Sequence, residues 1–315
     1  MSYKINKDLL DLLLCPICGG SLKLKKYKLV CLKKHSFNIK SGVPMMVKLN
    51  KYLKKESEAW EDKWEKNISS RALKAYNYNM KIFKELGYWE ETGIATRKIA
   101  SKKDYTVLDL GCGNGVSTNN IKGQLVIGLD LSESQLIKAK KDFTNKQFIV
   151  GDAIKLPFKD DSFDLVLAIN LLHHIPNTEK VLEECWRVLK KGGHFLSVDP
   201  NFYNPIGFIG RNLYKTLKLN KVFPSFPQFA LGEEEKQFSK KSYVELFNES
   251  PFKSFKIKPH RIERILFFST ILFPFLIDFP GYKEILLFVS KIGNKIVQYR
   301  PFDQICYFWK AEARK

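Results

Sequence analysis

The sequence lacks any apolar run long enough to cross a membrane as a helix. The longest candidate, residues 265–277, falls short of the roughly 18 apolar residues that a spanning helix needs, and it contains Pro274. A secretory signal peptide is also missing, because charged residues interrupt the apolar positions between Met1 and Leu14 and no small-residue cleavage site follows. We therefore expect a cytoplasmic protein in a reducing compartment, where clustered cysteines favour metal ligation over disulfides.

Acidic residues are scarce relative to basic ones, which gives a formal net charge of +20 at pH 7. Residues 1–106 carry 23 basic and 11 acidic side chains, and residues 201–315 carry 19 and 10, whereas residues 107–200 are nearly neutral with 11 and 12. Basic flanks suit an anionic partner, either nucleic acid or a phospholipid surface. Lysines on ordinary solvated faces explain the same excess, so charge alone leaves these alternatives open.

A dinucleotide-binding fingerprint is absent, although the chain contains a glycine-rich loop. Residues 107–115 have the sequence VLDLGCGNG, in which glycines at Gly111, Gly113 and Gly115 follow an apolar run, but Val116 stands where G-x-G-x-x-G requires another glycine. The pattern predicts a buried strand that turns tightly into a helix, with glycines that permit positive φ and a close approach to a ligand. The stretch resembles the first motif of class I S-adenosylmethionine (SAM) methyltransferases.

Acidic residues also follow the next two predicted strands. Asp130 comes 21 residues after Asp109 at the end of strand 125–129, and Asp152 ends the strand that follows. Carboxylates at the carboxyl edge of a parallel sheet can accept the ribose hydroxyls of a bound nucleoside. Asp130 could instead cap the helix that begins near Ser132. An acidic edge suits a cofactor with a sulfonium and an ammonium better than it suits a pyrophosphate.

Three further motifs strengthen the methyltransferase resemblance. They are LPFKDDSFD at 156–164, LLHHI at 171–175 and VLKKGGHF at 188–195. In order and spacing they closely resemble the type 11 methyltransferase domain over about residues 105–200. The resemblance implies a Rossmann-like α/β fold, with a seven-stranded, mostly parallel sheet covered by helices on both faces, and SAM as the cofactor. The cofactor-binding residues that it implies are Asp109, Gly111, Gly113, Gly115, Asp130, Leu131, Asp152, Ala153 and Asn170.

Few catalytic residues are expected for methyl transfer from a sulfonium, since the reaction needs positioning, desolvation and at most one base. The candidates for a base or an acceptor-orienting group are His173, His174, Asp199, Asn201 and Tyr203. Histidine titrates in the useful range. Either histidine could also simply cap a helix.

The N-terminal cysteines have the spacing of a metal site. Cys15 and Cys18 form C-x2-C, and Cys31 and His35 form C-x3-H, which together supply a closed tetrahedral set for structural Zn²⁺. The segment resembles the zinc ribbon of bacterial rRNA guanine-N1 methyltransferases and of small proteins that activate methyltransferases. A closed site has no open position for catalysis, so the ribbon would serve structure or acceptor recognition. A ribbon that has lost its metal is the alternative.

The chain thus divides into a zinc ribbon, a helical lead-in, and a methyltransferase domain with two insertions on the substrate side. Their predicted ranges are 1–49, 50–104 and 105–315, with insertions at about 201–232 and 261–301. The lead-in predicts two or three amphipathic helices, in which Trp60, Trp64 and Tyr76 either pack between helices or form a flap over the cofactor.

The last strands of the sheet decide where the second insertion lies. The sequence predicts a fifth strand at 194–198, a parallel sixth strand at 252–259 and an antiparallel seventh strand at 304–312. A connection that leaves a parallel sixth strand starts at the cofactor edge. The apolar insertion 261–301 would then wall an acceptor pocket, lie in a membrane interface, or pack on the core.

The acceptor is the least constrained part of the prediction. Residues 199–205 read DPNFYNP, which resembles the EPNxxNP of methyltransferases in polysaccharide, lipid and natural-product pathways. We therefore expect a small-molecule, lipid or glycan-precursor acceptor, with peripheral contact at the inner membrane face through 261–301. The alternatives are an RNA methyltransferase, acting on an rRNA or tRNA base through the ribbon and the basic flank, and a non-catalytic SAM-fold scaffold. No DNA partner is expected.

Overall fold

The computed structural model of the chain describes residues 5–47, 70–85, 104–204, 238–261 and 274–315, together with residues 216 and 236. Within these ranges, no helix combines the length and the apolarity needed to cross a bilayer. Trp60 and Trp64, and the side chain of Tyr76, lie outside what is described, and so does most of the first insertion.

The N-terminal ribbon is a short helix followed by a small antiparallel sheet in the order β1-β2-β3-β4. Its elements are α1 (Lys7–Leu12), β1 (Leu22–Lys25), β2 (Lys28–Cys31), β3 (Ser36–Lys40) and β4 (Val43–Pro44). The Asn6 side chain caps α1 by accepting a hydrogen bond from the Leu9 amide. One further helix, α2 (Ser70–Glu85), is described in the lead-in, where the sequence predicts two or three.

Seven strands form the main sheet in the order β10-β11-β9-β8-β5-β6-β7. They are β5 (Thr106–Leu110), β6 (Leu125–Asp130), β7 (Gln147–Val150), β8 (Phe163–Ile169), β9 (Leu189–Pro200), β10 (Ser254–His260) and β11 (Phe308–Arg314). The ladder pairs among β5 to β9 are parallel, and β11 runs antiparallel to both of its neighbours. The predicted fold class is therefore confirmed, including the antiparallel last strand.

Helices cover both faces of this sheet, because the side chains on both faces of the central strands are mainly apolar. They are α3 (Val116–Asn120), α4 (Glu133–Asp142), α5 (Thr178–Val188), α6 (Lys240–Asn248) and α7 (Tyr282–Ile296). In β5, Leu108 belongs to the same apolar cluster as Leu182 of α5, whereas its neighbour Val107 packs with Ile121 on the opposite face. Both faces of the central strands are thus buried.

Three predicted strands have different bounds in the structure, and for the sixth strand, predicted at 252–259, the difference is small, since β10 is Ser254–His260. The last strand begins at Phe308 rather than at residue 304, because residues 302–305 form a short 3₁₀ helix. The side-chain amides of Asn201 and Asn204 both donate to the carbonyl of Cys306, which holds this segment outside the ladder. The fifth strand, β9, is longer than residues 194–198 because it pairs with β11 along its whole carboxyl half.

The ribbon packs directly on the methyltransferase domain. The Met46 amide donates to the Val150 carbonyl at 2.7 Å, beside the carboxyl end of β7, and the Leu14 amide donates to the Pro157 carbonyl at 2.9 Å. Buried Leu13 of the ribbon belongs to the same apolar cluster as Phe158 and the central strands. The two parts therefore share a hydrophobic core.

The lead-in helix and the second insertion also pack together. Ala75 and Ile82 of α2 form an apolar cluster with Tyr282 and Leu286 of α7. The Tyr282 hydroxyl donates to Asn79 Oδ1 at 2.7 Å. Since β10 ends at the sheet edge where β9 also ends, this helical pair is attached at the predicted cofactor edge.

Candidate cofactor and acceptor site

The glycine loop between β5 and α3 has the backbone that the sequence predicts. Gly111, Gly113 and Gly115 have φ values of 72°, 51° and 74°, in the left-handed region that favours glycine. A Cβ atom on Gly115 would lie 2.8 Å from both Ala139 of α4 and Phe148 of β7. The loop therefore turns left-handed and passes in close contact with the elements beneath it.

Asp109 lies beneath this loop rather than at its open side. Its carboxylate is buried and accepts hydrogen bonds from the hydroxyls of Thr118 at 2.6 Å and Ser117 at 3.1 Å. Burial raises the pKa of Asp109 to about 6, against the lowering effect of these hydroxyls. Asp109 thus fixes the start of α3 to β5. The two hydroxyl residues were not predicted, although a Ser-Thr pair in the first turn after a glycine loop is a usable signal.

Asp130 ties the end of β6 to the glycine loop. Its two carboxylate oxygens accept hydrogen bonds from the amides of Gly113 at 2.8 Å and Ser132 at 2.9 Å. The Leu131 amide also donates to this carboxylate, which still keeps a lone pair for a ligand. The cap of α4 is Ser132, which accepts from the Gln135 amide, so the alternative role of Asp130 as that cap is wrong.

Asp152 and Asn170 lie at the same carboxyl edge of the sheet, on either side of the glycine loop. Asp152 follows β7 and accepts a hydrogen bond from the Ile154 amide at 3.0 Å, while burial raises its pKa, as it also does for Asp130. Asn170 follows β8 with φ of 53°, and its buried Oδ1 has no hydrogen-bond partner among the described residues. A buried acceptor of this kind requires a donor, and an ammonium-bearing ligand supplies one. Of the remaining predicted positions, Leu131 follows β6 directly and Ala153 is buried after β7.

These residues fit SAM by the chemistry of their side chains. The edge presents carboxylates and an amide oxygen, which are acceptors, toward a ligand that carries an ammonium, a sulfonium and ribose hydroxyls. Gly111 lies close to Leu171, and a Cβ atom on Gly111 would be 2.6 Å from the leucine side chain. The backbone at this position therefore has room for no larger residue.

His173 and Asp199 form a buried pair at the ends of β8 and β9. The His173 Nδ1 atom lies 2.9 Å from Asp199 Oδ1, and the His173 backbone amide donates to the same oxygen at 3.2 Å. The Tyr243 hydroxyl of α6 donates to Asp199 Oδ2 at 3.0 Å and contacts the Ser197 hydroxyl at 2.6 Å. Burial raises the pKa of Tyr243 well above its usual value. The aspartate thus holds one nitrogen of the imidazole, which fixes the orientation of the ring.

The other predicted catalytic residues are placed differently. The ring of His174 lies against that of His173, with centroids 3.8 Å apart. Tyr203 is 57% exposed, and its amide donates to Asn201 Oδ1. The Asn201 amide group is engaged with carbonyls before β11, so the structure gives it a role in holding that loop. Tyr243 was not predicted, because its contact with Asp199 joins elements far apart in the sequence.

The ribbon brings its four predicted metal ligands together. The ligand atoms of Cys15, Cys18, Cys31 and His35 all lie within 4.8 Å of one another. The Cys18 and Cys31 sulfurs are 3.7 Å apart, and His35 Nδ1 is 3.5 Å from the sulfurs of Cys15 and Cys31. Tetrahedral zinc with bonds of about 2.3 Å to sulfur and about 2.0 Å to nitrogen requires separations of about 3.8 Å and 3.5 Å. A hydrogen bond from the Gly20 amide lowers the pKa of Cys18 to about 6, which favours the thiolate form that a metal needs.

Comparison with known proteins places the chain in a family. A family model described as a methyltransferase domain matches residues 108–197. The chain is 38% identical over 147 residues to an uncharacterized protein of Methanocaldococcus jannaschii, an alignment that covers 47% of this chain and 62% of that protein. It is 31% identical over 180 residues to a demethylmenaquinone methyltransferase of Lactococcus lactis, over 48% of this chain and 71% of the relative.

A solved structure shares the fold over most of the chain. This is geranyl diphosphate C-methyltransferase from Streptomyces coelicolor, with a TM-score of 0.53 at 13% identity, covering 85% of this chain and 99% of the other. Identity this low supports likeness of fold alone. The family match, the Lactococcus relative and the sheet order together show that the chain belongs to the class I SAM-dependent methyltransferases.

Proposed function

We propose that this protein transfers a methyl group from SAM to a small molecule, a lipid or a glycan precursor. The observation that carries the cofactor assignment is the Asn170 Oδ1 atom, which has no hydrogen-bond partner among the described residues, at an edge that also holds Asp130 and Asp152. SAM supplies an electrophilic methyl group whose sulfur departs as a neutral thioether. The chain therefore has to bind, orient and desolvate the reactants.

Each residue of the edge has a distinct task in this proposal. Asp130 can accept hydrogen bonds from the ribose hydroxyls of SAM. Asp152 and Ala153 lie beside the adenine ring of SAM. Asn170 Oδ1 accepts from the ammonium. The buried Asp109 acts at one remove, since its bonds to Ser117 and Thr118 hold the loop in position.

His173 is the residue that we assign to the acceptor. Asp199 occupies Nδ1, which leaves Nε2 to accept a proton from the acceptor or to orient it. Tyr243 is a positioning residue that holds the second oxygen of Asp199. An imidazole that a carboxylate orients through one nitrogen can accept a proton at the other.

Calorimetry with SAM and its demethylated product tests the cofactor site. We expect Asn170→Ala and Asp152→Asn to weaken binding about 5- to 150-fold, since each removes one polar partner of a bound group, worth about 1–3 kcal/mol. The matched control is Asp142→Asn, an exposed carboxylate at the end of α4. Failure of the wild-type protein to bind SAM would refute the proposal and favour the non-catalytic scaffold.

The acceptor is tested by incubating labelled SAM with fractionated lysate of the source cell. Support for this acceptor class comes from the Lactococcus relative, which is named for a demethylmenaquinone, and from the DPNFYNP motif at 199–205. We expect the label in lipid or small-molecule fractions. Label in RNA alone would refute this acceptor class. With an identified acceptor, His173→Asn should lower kcat.

RNA is the second candidate, and the ribbon surface favours it. Lysines at 23, 25, 26, 28, 33 and 34 are exposed there, beside exposed Tyr27 and Leu32. This candidate predicts RNA binding that weakens steeply with salt, with the slope reduced when Lys25, Lys26, Lys33 and Lys34 are changed to glutamine. Equal salt slopes for the wild type and the quadruple variant would exclude the ribbon as an RNA-binding surface.

The same ribbon holds structural zinc in our proposal. The four ligand atoms leave no open position, so the metal would contribute to folding and not to methyl transfer. Metal analysis of the purified protein should give one zinc per chain. Protein that is fully folded without any bound metal would contradict the assignment.

A further inference from the structure

Helix α7 exposes an apolar face along its whole length. Its exposed apolar side chains are Ile285, Phe288, Ile292 and Ile296, and their exposed fractions range from 38% for Ile292 to 64% for Phe288. The spacing of three or four residues places all four on one side of the helix. An adjacent side of the helix, with Tyr282 and Leu286, is buried against α2.

This face continues beyond the end of the helix. Tyr299 and Phe302 follow it with exposed fractions of 71% and 48%. Soluble monomers rarely expose a contiguous apolar patch above a few hundred Å², and larger patches mark interaction sites. The buried side of α7 packs the helix onto the fold. Among the described residues, that packing does not require the exposed side.

The charges beside this face are mainly basic. Lys291 and Lys295 each precede an exposed isoleucine, are themselves exposed, and form no ion pair with another described residue. Arg300 is exposed next to Tyr299. Glu284 in the first turn is the one acidic residue of α7, and Lys283 is paired with Glu85 at 2.8 Å.

The same charges decide between two occupants of the face. A second copy of the chain would bring these basic groups toward one another on a protein of net charge +20. An anionic lipid surface would pair with the basic groups and cover the apolar side chains at once. The pattern is that of a helix lying in a membrane interface.

We propose that α7 binds the surface of anionic phospholipid bilayers, with its apolar face in the acyl boundary and Lys291 and Lys295 among the headgroups. The Arg261 amide donates to Asn294 of α7 at 3.0 Å, and Gln298 donates to the Pro259 carbonyl at 3.1 Å. These bonds fix the helix to the end of β10, at the edge of the sheet where the cofactor residues lie. The inference concerns this surface and holds whatever acceptor the enzyme uses.

Vesicle co-sedimentation tests the proposal with the full-length protein. We expect binding to vesicles of equal parts phosphatidylglycerol and phosphatidylcholine, and weak binding to phosphatidylcholine alone. The double variant Phe288→Ser, Ile292→Ser should reduce binding at least about tenfold, because two apolar side chains lose most of their transfer free energy. Changing Lys291 and Lys295 to glutamine should reduce binding about fivefold for each lysine and lower its salt dependence.

The matched control replaces two exposed apolar side chains by serine on the ribbon instead of on α7. Tyr27→Ser with Leu32→Ser removes two strongly exposed apolar side chains from the ribbon, where Leu32 is 88% exposed, and should leave vesicle binding unchanged. All altered side chains are exposed, and circular dichroism with thermal unfolding checks that each variant folds. Unchanged binding by the α7 variants would overturn the proposal. So would a concentration-dependent dimer that Phe288→Ser dissociates, since a second copy would then cover the face.

Discussion

Replacing Gly115 by alanine tests how closely the cofactor loop packs on the elements beneath it. The φ of 74° is unfavourable for a residue with a Cβ atom by about 1–2 kcal/mol. The new Cβ atom would also lie 2.8 Å from Ala139 and from Phe148, and overpacking of this kind costs about 1–3 kcal/mol. We therefore expect Gly115→Ala to lower the free energy of unfolding by about 2–5 kcal/mol.

Gly192 supplies the matched control. Its φ of 76° is nearly the same, but a Cβ atom there would meet no atom within 4 Å. Gly192→Ala should therefore lose only the conformational part, about 1–2 kcal/mol. Urea unfolding followed by tryptophan fluorescence measures both values. Equal losses for the two variants would refute the close contact of the loop with α4 and β7.

Three further predictions concern the metal, a buried acid and the network around Asp199. Chelation should lower the unfolding temperature of the wild type strongly, because metal binding supplies on the order of 10 kcal/mol to such folds, and should have no further effect on Cys31→Ser. The Asp109 pKa of about 6 lies above its unfolded value of 3.8, so the native state binds the proton more tightly than the unfolded state does. The free energy of unfolding therefore falls as the pH rises from about 4 to 6. Asp109→Asn should remove about 3 kcal/mol of this fall, as measured by urea titrations at several pH values. Tyr243→Phe and Tyr282→Phe should each lower the free energy of unfolding by about 1–3 kcal/mol, because each removes a buried hydrogen bond of a hydroxyl group. Only Tyr243→Phe should lower the rate of methyl transfer, since Tyr282 lies in the α2–α7 cluster.

The sequence predicted the sheet because local patterns determine it. Apolar runs that end in Asp130 or Asp152 indicate buried parallel strands, and the glycine spacing indicates the turn after β5. His173 and Asp199 could be expected near one another, since they follow neighbouring strands. Their direct contact at 2.9 Å could not, because it depends on side-chain rotamers.

Contacts between distant segments were beyond prediction. The bond between Met46 and Val150 joins residues far apart in the chain, and no periodicity records it. The start of β11 is set by the amides of Asn201 and Asn204, which bind the carbonyls that would otherwise extend the ladder. Tyr243 reaches Asp199 from a helix that lies 44 residues further along the chain.

The position of the ribbon beside β7 has a consequence for solubility. β7 is the outermost strand on its side of the sheet, and three of the four residues of its sequence, QFIV, are apolar. An uncovered strand of this kind is a template on which another chain can pair, as in aggregation or fibril growth. The ribbon shields the carboxyl end of that strand, so loss of its fold would open a site for self-association. Metal depletion should then appear first as turbidity that increases with protein concentration, before any loss of the central sheet.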